Sequence, residues 1–167
     1  MSTYPSIVAG QALTSALLQS MLPQHAYRSS DGTAIVSNTT LANEPVLVLS
    51  LPANSTWRFT LDILYKGNTA GSGDLKIGWS VPSGCTIRAR TEFADTSLVA
   101  RFGYITEALT QAMGSNGTSN PLGAGISGQI FMSSSGGNVN LKVAQNTSNA
   151  TGTTILTGSG FTAWREA

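Results

Sequence analysis

The sequence predicts a mainly β protein, a jelly-roll-like sandwich of two sheets with a short N-terminal arm and helix. From residue 33 onward, short runs in which apolar and polar residues alternate recur along the chain. Turns rich in Gly, Pro, Asn and Ser separate these runs at fairly regular spacing. Roughly eight or nine short strands arranged in this way are typical of a sandwich or barrel. A chain of 167 residues is one ordinary domain with a single hydrophobic core.

The segment 56–65 is the clearest strand. Its apolar side chains occupy every second position and therefore share one face of a sheet: Trp57, Phe59, Leu61 and Ile63. Trp79 keeps the same alternation in a later run, so we expect both Trp57 and Trp79 in the core. The pattern is weakest over 94–122, where one strand is expected within 98–106.

The first part of the chain has a helical rather than a β pattern. Five apolar side chains recur at helical spacing before Pro23, which ends the helix: Leu13, Leu17, Leu18, Met21 and Leu22. A helix of about three turns is marginal in water, so this stripe must be buried on the chain's own β core or on another subunit. We therefore divide the chain into an arm with an amphipathic helix, 1–32, and a β-sandwich domain, 33–167.

Charged residues make up 10% of the chain and the formal net charge is +1. A typical soluble domain has about a quarter charged residues, and a surface of low net charge promotes association. This composition favours a protein packed against its own copies or a scaffold, with a secreted β domain as the alternative.

The nine Lys and Arg residues are scattered, which argues against nucleic acid as a partner. No apolar run is long enough for membrane insertion, and no leader peptide is recognisable, so synthesis in the cytoplasm is expected.

The sequence contains no convincing catalytic or metal-binding set, and we predict no enzyme activity, no cofactor and no metal. The single histidine, His25, follows the predicted helix in a loop, and the single cysteine, Cys85, is expected in the core. The acidic residues are spread singly. Glu92 and Asp95 are the nearest pair at a strand end, which leaves a glycosidase as a remote alternative.

Two aromatic residues are candidate surface contacts. Tyr104 lies outside the clearest strands, and Trp164 is near the C-terminus without a clear place in the core pattern. Exposed aromatic rings of this kind mark carbohydrate or receptor surfaces, so a carbohydrate-binding module is a further alternative.

Three segments resemble proteins of a known group: Gly10–Pro23, Gly73–Gly84, and Ala144–Thr151 with the following Gly158 and Ser159. Together they are similar to small virion-associated proteins of tailed phages of actinobacteria, which occur as minor-tail or tail-fibre modules and as capsid decoration proteins. The resemblance covers most of the chain, and 92–121 matches least. It implies a β-sandwich, often a homotrimer, and transfers no functional residue.

From these observations we expect a non-enzymatic structural protein of a bacteriophage virion. It would be an oligomeric surface module of the tail, in a fibre, tip or minor-tail position, with a role in host attachment. The expected partners are the protein itself as a homotrimer, other virion proteins and a host cell-wall glycan. The alternatives are a capsid decoration protein that binds the head shell through its N-terminal arm, and a carbohydrate-binding module.

Deleting residues 1–23 is expected to leave a folded β domain that no longer joins its particle. The deletion removes the apolar stripe but none of the predicted strands. Circular dichroism checks the fold, and immunogold labelling of purified virions checks incorporation against the full-length protein. A truncated protein that does not fold would place the helix in the core and contradict an anchoring role.

Overall fold

A computed structural model describes residues 9–15, 18, 21–69 and 72–166. In these parts of the chain, eleven strands follow one another: β1 (Gln24–Tyr27), β2 (Ala42–Leu51), β3 (Thr56–Lys66), β4 (Leu75–Ser80), β5 (Thr86–Ala94), β6 (Ala100–Thr106), β7 (Gln111–Met113), β8 (Leu122–Phe131), β9 (Gly137–Gln145), β10 (Thr154–Ile155) and β11 (Gly160–Arg165). None of the described helical segments is long and apolar enough to cross a membrane.

The strands form two antiparallel sheets. The larger sheet has seven strands in the order β1-β11-β3-β8-β5-β6, with β10 also paired to β3, and the smaller has the order β2-β9-β4-β7. Large apolar side chains of both sheets are buried in one core cluster, so the sheets pack face to face as a sandwich. The predicted mainly β, two-sheet sandwich is confirmed.

The alternation of apolar and polar side chains along β3 determines which face of the strand is buried. Every second side chain from Trp57 to Tyr65 is buried, and those between point outward. The inner row meets the opposite sheet at an aromatic cluster of Phe59, Trp79 and Phe161, whose ring centroids lie 5.7 to 5.8 Å apart. Trp57, Trp79 and Cys85 are buried as predicted, and burial raises the pKa of the Cys85 thiol to about 11.

The N-terminal residues differ in part from the expectation. The Leu18 N–H donates to the Thr14 carbonyl at 3.0 Å, which forms a helical turn. His25 does not lie in a loop, because β1 pairs with β11 at the edge of the larger sheet and places His25 opposite Thr162. The sheet therefore includes residues within the range 1–32 that we assigned to the arm, and the division at residue 32 stays a prediction.

A buried ion pair links the edge of the larger sheet to β2. Arg28 follows β1, and its Nε and Nη2 lie 2.9 and 2.7 Å from Glu44 Oε1. The second carboxylate oxygen of Glu44 accepts the backbone N–H groups of Val46 and Leu47, where the register of β2 with β9 shifts. Both charged side chains are almost fully buried, so each depends on the other for compensation.

Removing one charge of this pair should be far more costly than removing both. Arg28→Met is expected to lower the free energy of unfolding by about 3–5 kcal/mol, because it leaves the buried Glu44 carboxylate without its cation. Adding Glu44→Gln should restore most of the loss, since the amide oxygen still accepts the β2 N–H groups. Urea denaturation followed by tryptophan fluorescence measures both variants.

The exposed pair of Arg58 and Glu166 supplies the control for that experiment. Arg58→Met should change the free energy of unfolding by less than about 1 kcal/mol, the usual range for exposed ion pairs. Equal losses for Arg28→Met and Arg58→Met would contradict the structural role of the buried pair.

Candidate functional site

The exposed aromatic residues of the described chain lie on one surface, the outer face of the seven-stranded sheet. We call this surface the aromatic face. The exposed fractions are 61% for Tyr27, 82% for Phe102, 58% for Tyr104 and 42% for Trp164. Large apolar rings at this exposure in one region indicate a binding surface rather than a packing role.

The strand register aligns the outward side chains into rows across the sheet. Asp62 is exposed on β3, so the residues directly opposite it on successive strands share its face. Its row runs in the order Tyr27, Gly160, Asp62, Gly125, Glu92 and Phe102. The next row runs in the order His25, Thr162, Thr60, Ser127, Arg90 and Tyr104.

Trp164 begins a third row on β11. It is followed by Arg58, Gln129, Arg88 and Thr106. Aromatic rings therefore stand at both sides of the sheet, on β1 and β11 at one side and on β6 at the other. Four strand spacings separate β11 from β6, which is about 19 Å at ~4.8 Å per spacing.

Between the aromatic rings the face is a shallow trough, because three successive outward residues of the central strand β8 are small. Gly123, Gly125 and Ser127 occupy these positions. The trough contains three depressions. One of about 220 Å³ lies over Gly125, one of about 270 Å³ lies beside Trp164, and one of about 450 Å³ lies beside Phe102.

Most charges on the aromatic face are paired within it. Glu166 Oε1 accepts from Arg58 Nε at 2.8 Å and Glu166 Oε2 accepts from Gln129 Nε2 at 2.6 Å. The hydrogen bond from Gln129 and the adjacent guanidinium lower the pKa of Glu166. Arg90 donates to Ser127 Oγ at 2.9 Å, and its Nη2 lies 3.5 Å from Glu92 Oε1.

Two charged side chains of this face stand apart from those pairs. The Arg88 guanidinium lies over the Phe131 ring, 5.9 Å from its centroid, a cation–π geometry. The Asp62 side chain is exposed and has no hydrogen bond or ion pair with another described residue. Its carboxylate oxygen Oδ1 lies over Gly125, 3.9 Å from the position that a Cβ would occupy there. Asp62 thus presents a free acceptor to the centre of the trough.

The outer face of the four-stranded sheet has a different character. Its paired outward positions carry aliphatic or polar side chains, as in the row of Val48, Asn140 and Ser80. None of the exposed aromatic side chains described above lies on these strands. The contrast identifies the aromatic face as the candidate functional site.

A separate cavity of about 400 Å³ lies beside the buried pair of Arg28 and Glu44. Apolar side chains such as Ile35 and Val143 form much of its wall. Because the two charges already bind each other and nearby backbone groups, we assign them to the fold rather than to chemistry. No group of three or more His, Cys, Asp or Glu residues that could hold a metal ion occurs among the described residues.

A glycosidase would need the Glu92 and Asp95 carboxylates in one site, and the structure places the two residues in different surroundings. Glu92 lies in the trough, whereas Asp95 closes the β5–β6 hairpin and lines none of the three depressions. Asp95 accepts from Arg101 Nε at 2.7 Å and from the N–H groups of Ser97 and Val99. The hydrogen bond from Arg101 is the main reason why the pKa of Asp95 is lowered, which unsuits it for donating a proton.

Both predicted contact residues lie on the aromatic face, Tyr104 on β6 and Trp164 on β11. Tyr27 and Phe102 were not among the predicted contact residues. The alternation of Phe102 and Tyr104 around Gly103 is a local signal that could have found Phe102. Tyr27 reaches this face only because β1 pairs with β11, a contact between the two ends of the chain.

The predicted assembly stripe is described in part. Leu13 and Leu22 are each 59% exposed and Leu18 is 49% exposed. Met21 is half-buried, and Leu17 lies outside the described residues. The described leucines of the stripe are thus not buried on the chain's own sandwich.

No protein-family model matches the chain, and no curated protein matches its sequence. Similar solved structures include the tripod from the baseplate of bacteriophage Tuc2009, 15% identical with a TM-score of 0.30 over 99% of this chain and 77% of that chain. Another is the CBM22-1 xylan-binding domain from Paenibacillus barcinonensis Xyn10C, 11% identical with a TM-score of 0.33 over 88% of this chain and 96% of that one. A third is a structure of infectious bursal disease virus, Gt strain, 8% identical with a TM-score of 0.20 over 99% and 44%. At such low TM-scores and sequence identities, these structural similarities do not indicate what this chain binds.

Proposed function

We propose that this protein is a non-enzymatic structural and binding module of a tailed-phage virion, located in the tail, whose aromatic face binds a host cell-wall polysaccharide. The observation that carries the binding role is the placement of the exposed aromatic rings on one face, around a trough with a floor of small residues. The virion role is supported by the low charge of the chain, its uncharged N-terminal segment and its sequence resemblance to virion proteins.

The chemistry of the aromatic face matches carbohydrate. The carbon-bound hydrogens of a sugar ring stack on aromatic rings, while its hydroxyl groups both donate and accept hydrogen bonds. Trp164 and Tyr104 offer such rings at the two sides of the trough, and Asp62, Arg90 and Glu92 offer acceptors and donors between them. A protein partner would instead favour an apolar centre depleted of charge, which this face does not have.

The N-terminal segment supports assembly with other subunits. Residues 2–24 contain no Asp, Glu, Lys or Arg, and the described leucines of the stripe are exposed. An uncharged segment with exposed leucines gains free energy by burial against a neighbouring subunit. In a homotrimer, three aromatic faces would act together, so that individually weak contacts to a polymer yield strong avidity.

The alternative is a capsid decoration protein with the same arm bound to the head shell. The two differ in copy number and position on the particle. Gold label confined to the tail supports the tail role, and label over the whole head would replace it with the decoration role.

Trp164→Ala and Tyr104→Ala should each weaken binding to a polysaccharide of the host cell wall by about five- to thirtyfold, because loss of an anchoring aromatic residue costs ~1–2 kcal/mol. Affinity electrophoresis in gels containing purified host wall polysaccharide measures the change. The midpoint temperature of thermal unfolding should stay near that of the wild type, since both side chains lie outside the core.

Leu109→Ala is the matched control, because Leu109 is exposed to a similar extent at 48% and lies outside the aromatic face. It should leave binding unchanged. If wild type and all three variants migrate alike with and without the polysaccharide, the glycan-binding role is wrong.

A further inference from the structure

The centre of the trough is built as a small polar subsite. Gly125 forms its floor, Asp62 on β3 stands at one side and Glu92 on β5 stands at the other. A Cβ at Gly125 would come no closer than 3.9 Å to any neighbour, so the depression of about 220 Å³ above it is open. The backbone there is ordinary strand, and its φ is not positive.

The polar groups around Gly125 suit a ligand that carries hydroxyl groups. Asp62 and Glu92 are acceptors, Arg90 is a donor, and the hydroxyl groups of Thr60 and Ser127 line the same depression. A pair of adjacent hydroxyl groups on a sugar ring can donate to a carboxylate and accept from a guanidinium at the same time.

The charges around this subsite disfavour an anion. The subsite carries two carboxylates and one guanidinium, and that guanidinium already lies 3.5 Å from Glu92. Arg58, in the row beyond Arg90, is bound to Glu166 at 2.8 Å. Arg88 is four residues from Glu92 along β5 and therefore lies further from Gly125 than Arg90 does. Its guanidinium lies over the Phe131 ring. An anionic substituent over Gly125 would therefore meet the Asp62 carboxylate, while the one guanidinium of the subsite, that of Arg90, is already shared between Ser127 and Glu92.

We propose that this subsite, in the polysaccharide-binding role proposed above, takes an uncharged sugar ring through adjacent hydroxyl groups, and that it selects neutral polysaccharides against acidic ones. Asp62 is the residue that sets the selectivity, because its carboxylate has no partner among the described residues. Gly125 is the residue that makes room for the ring.

Two matched pairs of polymers test the selectivity: linear mannan against polymannuronate, and dextran against dextran sulfate. In each pair the acidic polymer adds negative charge to a related backbone. Calorimetric titration of the full chain should give at least about tenfold tighter binding to the neutral member, because charge repulsion of about 1.4 kcal/mol or more opposes binding of the acidic member. Asp62→Asn should reduce the ratio of the affinities for the neutral and the acidic polymer, since the amide keeps a hydrogen-bond acceptor and lacks the negative charge.

Gly125→Val should abolish binding without unfolding the protein, because valine is favourable in a strand and fills an open depression. Ser50→Val is its control, an exposed strand position on the outer face of the other sheet. It should leave both binding and its selectivity unchanged.

The outcomes separate the two proposals. If wild type binds no polymer of the panel and no host wall polysaccharide, the polysaccharide-binding role fails and the subsite fails with it. If wild type binds, but binds the acidic member as tightly as the neutral one, or if Gly125→Val binds like wild type, the subsite is wrong and the binding role of the face remains.

Discussion

Burial of one side of the long strands is the constraint on which the rest of the structure depends. On β3, the core takes Trp57, Phe59, Leu61, Ile63 and Tyr65, so the residues between them must point to solvent. A shift of one residue in register would bury Asp62 and expose Phe59. The aromatic cluster of the core therefore fixes the composition of the outer face, including the residues that we assign to binding.

The same register explains why the outer face is a trough with aromatic sides. At the centre, β8 carries Gly or Ser at successive outward positions, and its inward Gly128 allows β5 to approach closely, since a Cβ there would overlap the Arg88 carbonyl oxygen. Exposed aromatic rings are tolerated at the sides because they lie on or next to the two edge strands. A face with small residues at its centre and aromatic rings at its sides fits a flat polymer that lies across the strands better than it fits a globular partner.

The sequence predicted what depends on local pattern and missed what depends on pairing across the chain. Alternation identified the core face of β3 and the burial of Trp79, because side-chain direction in a strand follows from position alone. It did not place His25 and Tyr27 in the sheet, since β1 is only four residues long and exists through its contact with β11. Tyr104 and Trp164 could be named as surface candidates. Their position on one face, at opposite sides of β8, required the strand order.

We propose that the aromatic face binds polysaccharide. The most direct measurement is a nuclear magnetic resonance titration of the labelled protein with oligosaccharides from the host cell wall. We expect the amide shifts to change along β3, β8, β5 and β6 around Gly125 and at the Trp164 indole, and the shifts of residues in β2 and β9 to stay unchanged. Shifts centred on the four-stranded sheet or on the cavity beside Arg28, or no shifts at all, would contradict it.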